Sequence, residues 1–384
     1  MKKILLVHNK YRETGGEDIA VENELNFLKK YHTVELLYFD NNIESFLKQF
    51  FHFLVNSNLN SKQRLIQKID SFNPDIVYVH NTWFKASTAI FDVLKKRNIK
   101  TVIKLHNYRF HCTKSLKIKS HISNKGFCQA CGIEKKKFMY LNKYFSDSYL
   151  KSFLVYFYNK KFLKVLKDEF FTIVTLTNYQ LNFLVQNNYR ENIKLKKLVN
   201  IFDLEVNVDS NTNTKNNLVY AGRISKEKGV EELITSFKNS KLDNFTLKII
   251  GTGPDMNYLQ KQYSNKNIEF LGFLPNQKVK EVINKSTAVV SATKLLEGQP
   301  TLIYEACALK KPVIFPKSGG IPEYLSKENP FLFEPLDYWD LTNKLNMLLD
   351  TKLVLEVVEN NYLHTLDIFD RDNYLRLFSE LADD

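Results

Sequence analysis

Short apolar segments alternate with segments of helical periodicity along the first half of this chain. Four of the apolar segments have the length of β-strands: Lys3–Asn9, Pro74–Asn81, Lys100–Asn107 and Phe171–Asn178. After the first of them, apolar residues recur at roughly helical spacing, at Ile19, Val21, Leu25 and Leu28. Strands that alternate with helices form βαβ units, so the sequence predicts an α/β domain with a parallel sheet.

A polar linker separates this region from a second one of the same kind. Residues Asp203–Asn217 are rich in Asn and Thr and have no periodicity, which is typical of a domain boundary. The alternation of strands and helices then resumes, which predicts a second doubly wound α/β domain. We expect an N-terminal domain over 1–205, a C-terminal domain over 206–365, and a terminal helix over 366–384 that packs back toward the N-terminal domain.

Positive charge is concentrated in the first half of the chain. The formal net charge is +13. Residues 1–205 contain 34 lysines and arginines against 18 aspartates and glutamates, whereas residues 206–384 contain 21 against 24. This asymmetry indicates an anionic partner for the first half, either a membrane surface or a nucleic acid.

Neither a membrane span nor a secretory leader is predicted. No segment approaches the ~18 apolar residues of a membrane-spanning helix. The apolar run Ile4–Val7 is shorter than the roughly 7–15 residues of a signal-peptide core, so it predicts a first strand. Four cysteines among 384 residues do not make a disulfide framework. We therefore expect a cytoplasmic protein.

Glycines and basic residues follow several of the predicted strands, where doubly wound sheets bind ligands. The pair Gly15 and Gly16 would either bring backbone amides to an anion or form an ordinary turn. Arg223 and Lys228 flank another such loop, and would either bind a diphosphate or remain solvated. In both loops the two alternatives stay open on these residues alone.

The segment Gly251–Pro254 invites comparison with a dinucleotide-binding fingerprint. Met256 stands where the third glycine would be, and no acidic residue follows at the required distance. A hydride-transfer site is therefore not predicted. Instead, we expect Gly251 and Gly253 to let a nucleotide pass close to the backbone.

Two glutamates, Glu297 and Glu305, bracket a short apolar helix. Pro300 suits the first position of that helix, which would leave the amides of Thr301 and Leu302 free to bind an anion. A carboxylate beside such amides needs another partner, and sugar hydroxyls are suitable ones. We expect Glu297 to face a sugar and Glu305 a ribose, the alternative being that Glu297 only caps the helix and that Glu305 is incidental.

Taken together, the patterns are more specific than any one of them. They occur in the order GG, AGR with EKG, GTGP, FLGFLP, and E-x7-E followed by KKPVI and SGGIPE. This set resembles the retaining nucleotide-sugar glycosyltransferases of glycosyltransferase family 4, most strongly over Asn217–Leu325. The resemblance implies the GT-B fold, in which two doubly wound Rossmann-like domains face a central cleft. Pro330 and Leu336 depart from the family pattern in a loop near the nucleotide side.

The resemblance implies roles for individual residues. The catalytic residues would be Glu297 and His106, with His80 a second choice for the histidine. The donor-binding residues would be Gly15, Gly16, Arg223, Lys228, Gly253, Gly298, Gln299, Pro300, Thr301, Leu302 and Glu305.

The implied mechanism needs no cofactor and no divalent metal. Negative charge develops on the β-phosphate as the nucleoside diphosphate leaves, and Arg223, Lys228 and the helix amides would stabilise it. Glu297 would hold the sugar, and His106 would contact the sugar or line the approach of the acceptor. We expect front-face attack by an acceptor hydroxyl on a UDP- or GDP-linked hexose.

Two features of the first domain lie outside this set. Cys112, Cys128 and Cys131 have the spacing C-x15-C-x2-C, which fits either ordinary free thiols or a structural zinc site. Residues Ile133–Lys167 interleave lysines with aromatic and aliphatic residues, which fits a membrane-interface segment or core helices with a solvated lysine face.

The sequence thus predicts a retaining glycosyltransferase that is peripheral at the inner face of the cell membrane. Its expected acceptor is a polyprenyl-diphosphate-linked saccharide of a surface polysaccharide, and its expected surface partner is an anionic membrane rather than nucleic acid. One alternative is an enzyme of the same fold with a small soluble acceptor. The other is a non-catalytic nucleic-acid-binding protein that uses the basic half.

Overall fold

The structure, a computed structural model, describes most of the chain. The described residues are 1–10, 15–40, 58–117, 123–124, 127–134, 141, 143–145, 148–191, 194–202, 216–327 and 329–383. They divide into two compact units, Met1–Asp203 with Arg371–Asp384 and Leu204–Asp370. The predicted segment Ile133–Lys167 falls partly outside the described residues.

Eight described strands belong to the first unit. They are Lys3–Lys10 (β1), Thr33–Asp40 (β2), Ile76–Val79 (β3), Thr101–Leu105 (β4), Ser123–Asn124 (β5), Phe127–Cys128 (β6), Thr172–Thr175 (β7) and Leu195–Lys197 (β8). Six of them form a parallel sheet in the order β2-β1-β3-β4-β7-β8, while β5 and β6 make a separate antiparallel pair. The interior of β1 is buried throughout, as expected of a central strand in a parallel sheet.

Helices follow the strands of this sheet. They are Gly16–Leu28 (α1), Leu59–Phe72 (α2), Ala89–Lys96 (α3), Arg109–Cys112 (α4), Tyr149–Lys167 (α5) and Asn178–Gln186 (α6). Side chains cap three of them at the N-terminus, because Asn58, Ser148 and Thr177 each accept a hydrogen bond from a backbone amide of the first turn.

The second unit contains another six-stranded parallel sheet. Its strands are Asn217–Ala221 (β9), Thr246–Ile250 (β10), Ile268–Gly272 (β11), Ala288–Val290 (β12), Val313–Pro316 (β13) and Leu332–Phe333 (β14). Their order is β11-β10-β9-β12-β13-β14, so the direction of winding reverses between β9 and β12. Doubly wound sheets bind ligands beyond the carboxyl ends of the strands at such a switch point.

The helices of the second unit are Val230–Lys238 (α7), Met256–Tyr263 (α8), Asn276–Asn284 (α9), Thr301–Ala308 (α10), Tyr338–Asn346 (α11) and Thr351–Ile368 (α12). A last helix, Arg371–Asp383 (α13), belongs to the first unit. Tyr374, Phe378 and Leu381 of α13 are buried in the same apolar cluster as Ile4 and Leu6 of β1. Within the described part of the chain, no helix combines the length and apolarity needed to cross a membrane.

The two parallel sheets with flanking helices confirm the predicted fold class. In the second sheet, the loops after β9 and β12 lie at the edge formed by the carboxyl ends of the strands. In the first sheet, the loops after β1, β3 and β4 lie at the corresponding edge.

Candidate functional site

A lysine and a glutamate meet at the switch point of the second sheet. The Nζ atom of Lys228, in the loop after β9, donates a hydrogen bond of 2.6 Å to Oε1 of Glu297, in the loop after β12. The same oxygen accepts a 2.9 Å hydrogen bond from Oγ1 of Thr293. The lysine and glutamate side chains are 28% and 22% exposed, so a ligand at this edge can reach both. The structure therefore joins a predicted phosphate-binding cation to a predicted sugar-binding carboxylate.

Two glycines hold these loops in place. Gly229 has φ +67°, and a Cβ atom there would lie 2.0 Å from the carbonyl oxygen of Ala292. Gly319 has φ +61°, and its Cβ atom would lie 2.5 Å from the carbonyl oxygen of Glu297. The amide of Gly320 donates to that same carbonyl at 2.8 Å. A side chain at either glycine would push the loop carrying Lys228 or Glu297 out of position.

The glycines of the Gly251–Pro254 loop have an intramolecular role. A Cβ atom at Gly251 would lie 1.9 Å from the carbonyl oxygen of Gly222, and one at Gly253 would lie 2.1 Å from that of Ile224. The amide of Ile224 donates in turn to the carbonyl of Thr252 at 2.8 Å. Close packing between the loops after β9 and β10 thus accounts for both glycines without a ligand. A donor contact by Gly253 stays a prediction.

Arg223 is placed differently from Lys228. Its side chain is exposed, and its guanidinium has no hydrogen bond or ion pair with any residue that the structure describes. Its backbone carbonyl is fixed, because the hydroxyl of Tyr220 donates to it at 2.7 Å. The arginine therefore stands at the end of β9 with its charge in solvent, and phosphate binding by it stays a prediction.

The start of α10 differs by one residue from the prediction. The helix begins at Thr301, and Pro300 precedes it with ψ 116°, an extended conformation, so the proline occupies the cap position. The amides of Thr301 and Leu302 are then the first two of the helix, which have no acceptor within it. Gly298 and Gln299 lie in the loop between Glu297 and this cap, and their predicted contacts with a donor are untested.

Glu305 is buried inside α10, with 7% of its surface exposed. Burial raises the pKa of its carboxyl, against the opposing effect of a hydrogen bond from Asn276 and the charge of Lys280. Nδ2 of Asn276 donates to Oε1 of Glu305 at 3.0 Å, and Oδ1 of Asn276 is buried without a partner among the described residues. Glu305 is therefore a buried residue of α10 that pairs with the half-buried Asn276 at the start of α9.

In the first unit, the two candidate histidines touch each other. Nδ1 of His80 lies 3.0 Å from Nε2 of His106, and the rings stack with centroids 5.2 Å apart. Burial first, and then the nearby His106 and Lys104, hold the pKa of His80 well below its usual range. Burial, and then Lys104 and His8, do the same for the pKa of His106. Both imidazoles are therefore neutral near pH 7, and one proton lies between the paired nitrogens.

A buried carboxylate behind these histidines was missed by the sequence analysis. Nζ of Lys104 donates to Oε1 and Oε2 of Glu24 at 2.9 and 3.1 Å, and the hydroxyls of Tyr78 and Tyr374 also donate to Oε1. Nε2 of His80 lies 3.7 Å from Oε2, too far for a hydrogen bond. The available signal was Lys104 itself, a charged residue in the middle of a predicted buried strand.

The predicted glycine loop at the start of α1 is partly occupied by the protein's own carboxylate. The amide of Gly15 donates to Oδ2 of Asp18 at 2.9 Å, and Oδ1 of Asp18 lies 2.8 Å from Nε2 of His8. Asp18 thus takes the position that an anion would take at this amide. Donor binding by Gly15 and Gly16 stays a prediction.

A pocket of about 60 Å³ opens beside the histidine pair. Its walls include His80, His106, Trp83, Asn107 and Arg109. The pocket combines neutral imidazoles, an amide and a guanidinium with an aromatic ring. Such a lining suits a polar ligand with hydroxyl groups.

Part of the chain matches a known protein family. Residues 203–363 match the family model of the glycosyl transferases group 1. TuaC of Bacillus subtilis (strain 168), a glycosyltransferase assigned to teichuronic acid biosynthesis, is 31% identical over 117 residues, which are 30% of this chain and 28% of TuaC. The sulfoquinovosyl transferase SQD2 of Arabidopsis thaliana is 28% identical over 145 residues, 37% of this chain and 28% of SQD2. The chain thus spans less than a third of the length of these two curated relatives.

A solved structure matches over the whole chain. The crystal structure of HepE from Anabaena, in complex with UDP and glucose, has a TM-score of 0.70 and 16% sequence identity, and the match covers 99% of both chains. At this identity the likeness shows the fold alone, and it agrees with the predicted fold class of two doubly wound Rossmann-like domains.

Proposed function

Because residues 203–363 match the family model of the glycosyl transferases group 1, we propose that this chain moves a hexose from a nucleotide-sugar donor to a saccharide acceptor, with retention of the anomeric configuration. One observation carries the proposal: the hydrogen bond between Lys228 and Glu297 at the switch point of the second sheet. A cation suited to a diphosphate and a carboxylate suited to sugar hydroxyls stand side by side where such sheets bind ligands. The UDP and glucose of HepE support a UDP-linked donor, with GDP as the alternative base.

The diphosphate of the donor binds between the loops after β9 and β12. Lys228 exchanges its contact with Glu297 for a β-phosphate oxygen, and the exposed Arg223 adds a second positive charge. The amides of Thr301 and Leu302 supply the partial positive charge of a helix N-terminus. These groups stabilise the leaving diphosphate more strongly as its charge grows, which lowers the barrier to transfer.

The two glutamates act on different parts of the donor. Glu297, once Lys228 has turned to the phosphate, accepts hydrogen bonds from hydroxyls of the transferred sugar, and Gly298, Gln299 and Pro300 shape the backbone beside it. Glu305 is buried next to Asn276, and it accepts hydrogen bonds from the ribose of the nucleotide. Glu297 therefore contributes to catalysis and Glu305 to binding.

His106 contacts the sugar or the approaching acceptor. Its low pKa keeps the imidazole neutral, so it interacts with hydroxyl groups as a hydrogen-bonding group without adding charge. The acceptor hydroxyl attacks from the face on which the diphosphate leaves, and the departing phosphate takes its proton. His80 holds the ring of His106 through their 3.0 Å contact.

The proposed acceptor is a polyprenyl-diphosphate-linked saccharide at the inner face of the cell membrane. The assignment of TuaC to teichuronic acid biosynthesis supports a polysaccharide product. Helix α5 supports the proposal of binding to a membrane surface, because it carries lysines together with exposed apolar side chains. The side chains that are 36–55% exposed are Tyr149, Leu150, Phe153 and Phe157. A small soluble acceptor is the competing proposal, and liposome sedimentation separates the two.

A donor panel tests the transferase proposal. Purified protein is mixed with UDP- and GDP-linked sugars one at a time, and the melting temperature and the released nucleoside diphosphate are measured. We expect one donor class to raise the melting temperature and to be hydrolysed slowly. Glu297→Gln should lose the hydrolysis, whereas Glu359→Gln, which changes an exposed carboxylate on α12, should keep it. A panel in which no nucleotide sugar binds contradicts the proposal.

A further inference from the structure

Three cysteine thiols converge in the first unit. The sulfur atoms of Cys112, Cys128 and Cys131 all lie within 4.8 Å of one another, and Sγ of Cys112 is 3.4 Å from Sγ of Cys128. Four-coordinate zinc with sulfur ligands at about 2.3 Å requires sulfurs about 3.8 Å apart. Small shifts of the side chains would therefore bring the three sulfurs to the spacing of a zinc site.

The backbone around the second and third cysteines points both thiols to one place. Gly132 has φ +79° and its amide donates to the carbonyl of Cys128 at 2.8 Å, while the amide of Cys128 donates to the carbonyl of Ile133 at 2.9 Å. The amide of Ile133 also donates a hydrogen bond to the thiol of Cys131. This hydrogen bond fixes the sulfur of Cys131 beside the turn, and cysteines bind a metal as thiolates.

The surroundings also suit a metal centre. Cys112 and Cys128 are fully buried, and the charge of Lys114 lies close enough to Cys112 to interact with it. Three thiolates around Zn²⁺ leave a net charge of −1, which a neighbouring lysine compensates. Nδ1 of His111 lies 2.8 Å from the hydroxyl of Tyr189, so that nitrogen already has a partner.

We propose that Cys112, Cys128 and Cys131 bind one zinc ion as thiolates, with a water molecule or another small ligand in the fourth position. Binding releases the three thiol protons to solvent. The ion ties the end of α4 to the turn after β6. Because α4 begins three residues after His106, the site anchors the chain that leaves this histidine. The proposal is independent of the transferase activity.

Elemental analysis of the full-length protein tests the site. After purification without chelators and under reducing conditions, we expect about one zinc per chain by plasma mass spectrometry. Cys112→Ser and Cys128→Ser should lose most of it. Cys307→Ser is the matched control, because Cys307 is buried on α10 in the second unit. This variant should retain the zinc.

A second measurement covers the case in which the serine variants do not fold. Wild-type protein is treated with a mercurial thiol reagent in the presence of a metallochromic indicator, and release of about one zinc per chain is expected. Replacement of zinc by Co²⁺ should give thiolate-to-cobalt charge-transfer absorption. The proposal is overturned if the native protein holds no zinc and takes up none. It is also overturned if mass spectrometry finds a Cys112–Cys128 disulfide in the freshly isolated protein.

Discussion

Lys104 and Glu24 form an ion pair at the centre of the first unit, with both side chains fully buried. The lysine lies on β4 and the carboxylate on α1, and the hydroxyls of Tyr78 and Tyr374 complete the shell of the carboxylate. Tyr374 comes from α13, so the pair also joins the last helix to the first. A buried pair of this kind tolerates the loss of neither partner, because the remaining charge would be uncompensated.

Replacement of one partner of this pair should strongly destabilise the first unit. Lys104→Met should lower its free energy of unfolding by about 3–5 kcal/mol, and Glu24→Gln combined with Lys104→Met should recover part of the loss. Denaturant titration in a Trp339→Phe background reads the first unit alone, because Trp83 is then the sole tryptophan. Lys95→Met breaks the exposed ion pair with Asp168 and is the control, with an expected loss below about 1 kcal/mol. Equal losses of unfolding free energy in Lys104→Met and Lys95→Met would contradict the importance of the buried charge pair.

The stability of the first unit should fall as the pH drops below about 6.5. His80 and His106 have depressed pKa values in the folded protein, whereas the unfolded chain takes up protons near pH 6.5. Below that pH the unfolded state binds more protons, so each histidine weakens folding by up to about 1.4 kcal/mol per pH unit.

Titration of the unfolding free energy between pH 7.5 and about 5 measures this slope, in the window above the carboxylate pKa values. His106→Gln should reduce the slope by up to about 1.4 kcal/mol per pH unit, which is the contribution of one proton. His364→Gln, in the second unit, should leave it unchanged. A slope that is the same in all three proteins would mean that the pair does not titrate as expected.

Lys228 and Arg223 should both be needed for donor binding. Replacement of either by Ala removes a charge from the proposed diphosphate site, so each should weaken nucleoside-diphosphate binding at least tenfold and abolish transfer. Calorimetric titration with UDP or GDP measures the affinity directly. Lys226→Ala changes a lysine of the same loop with no proposed contact, and should bind nearly normally. Unchanged affinity in both variants would remove the two residues from the donor site.

Glu297 and Glu305 should fail in different ways. Glu297 contacts the sugar, whose bonding changes in the reaction, so Glu297→Gln should lower kcat strongly while the nucleoside diphosphate still binds. Glu305 contacts the nucleotide, which changes little, so Glu305→Gln should mainly raise KM for the donor. Steady-state kinetics with a matched nucleotide titration decides between these profiles. Two variants with one and the same profile would refute this division of roles.

The exposed apolar side chains of α5 should mediate binding to anionic membranes. Wild-type protein should sediment with anionic liposomes at low salt and be released as salt rises, because exposed charges are screened beyond ~10 Å at 0.1 M. Phe153→Ser with Phe157→Ser should weaken this binding. Phe273→Ser, at an exposed phenylalanine of the second unit, is the control. Salt-independent binding would contradict the electrostatic contribution of the basic first half, and the absence of binding would contradict a peripheral membrane role.

The sequence alone determined the fold class, because the periods of strands and helices are local properties of the chain. The apolar run at Lys3–Asn9 became β1. The linker predicted at Asp203–Asn217 lies outside the described residues except for its last two positions, and Asn217 already begins β9. Candidate residues at the strand ends, such as Lys228 and Glu297, could also be selected from the sequence, since parallel strands bring their carboxyl ends to one edge of the sheet.

Only the tertiary structure decided which of these residues touch. Lys228 and Glu297 are separated by 68 residues, and their contact depends on the reversal of strand order between β9 and β12. The role of Gly253 depended on a neighbouring loop, because a Cβ atom at this position would lie 2.1 Å from the carbonyl oxygen of Ile224. Glu24 appeared in the sequence as one more polar position on a helix. Its significance came from Lys104, Tyr78 and Tyr374, which long-range packing brings to it, because a buried charge needs partners that no local pattern specifies.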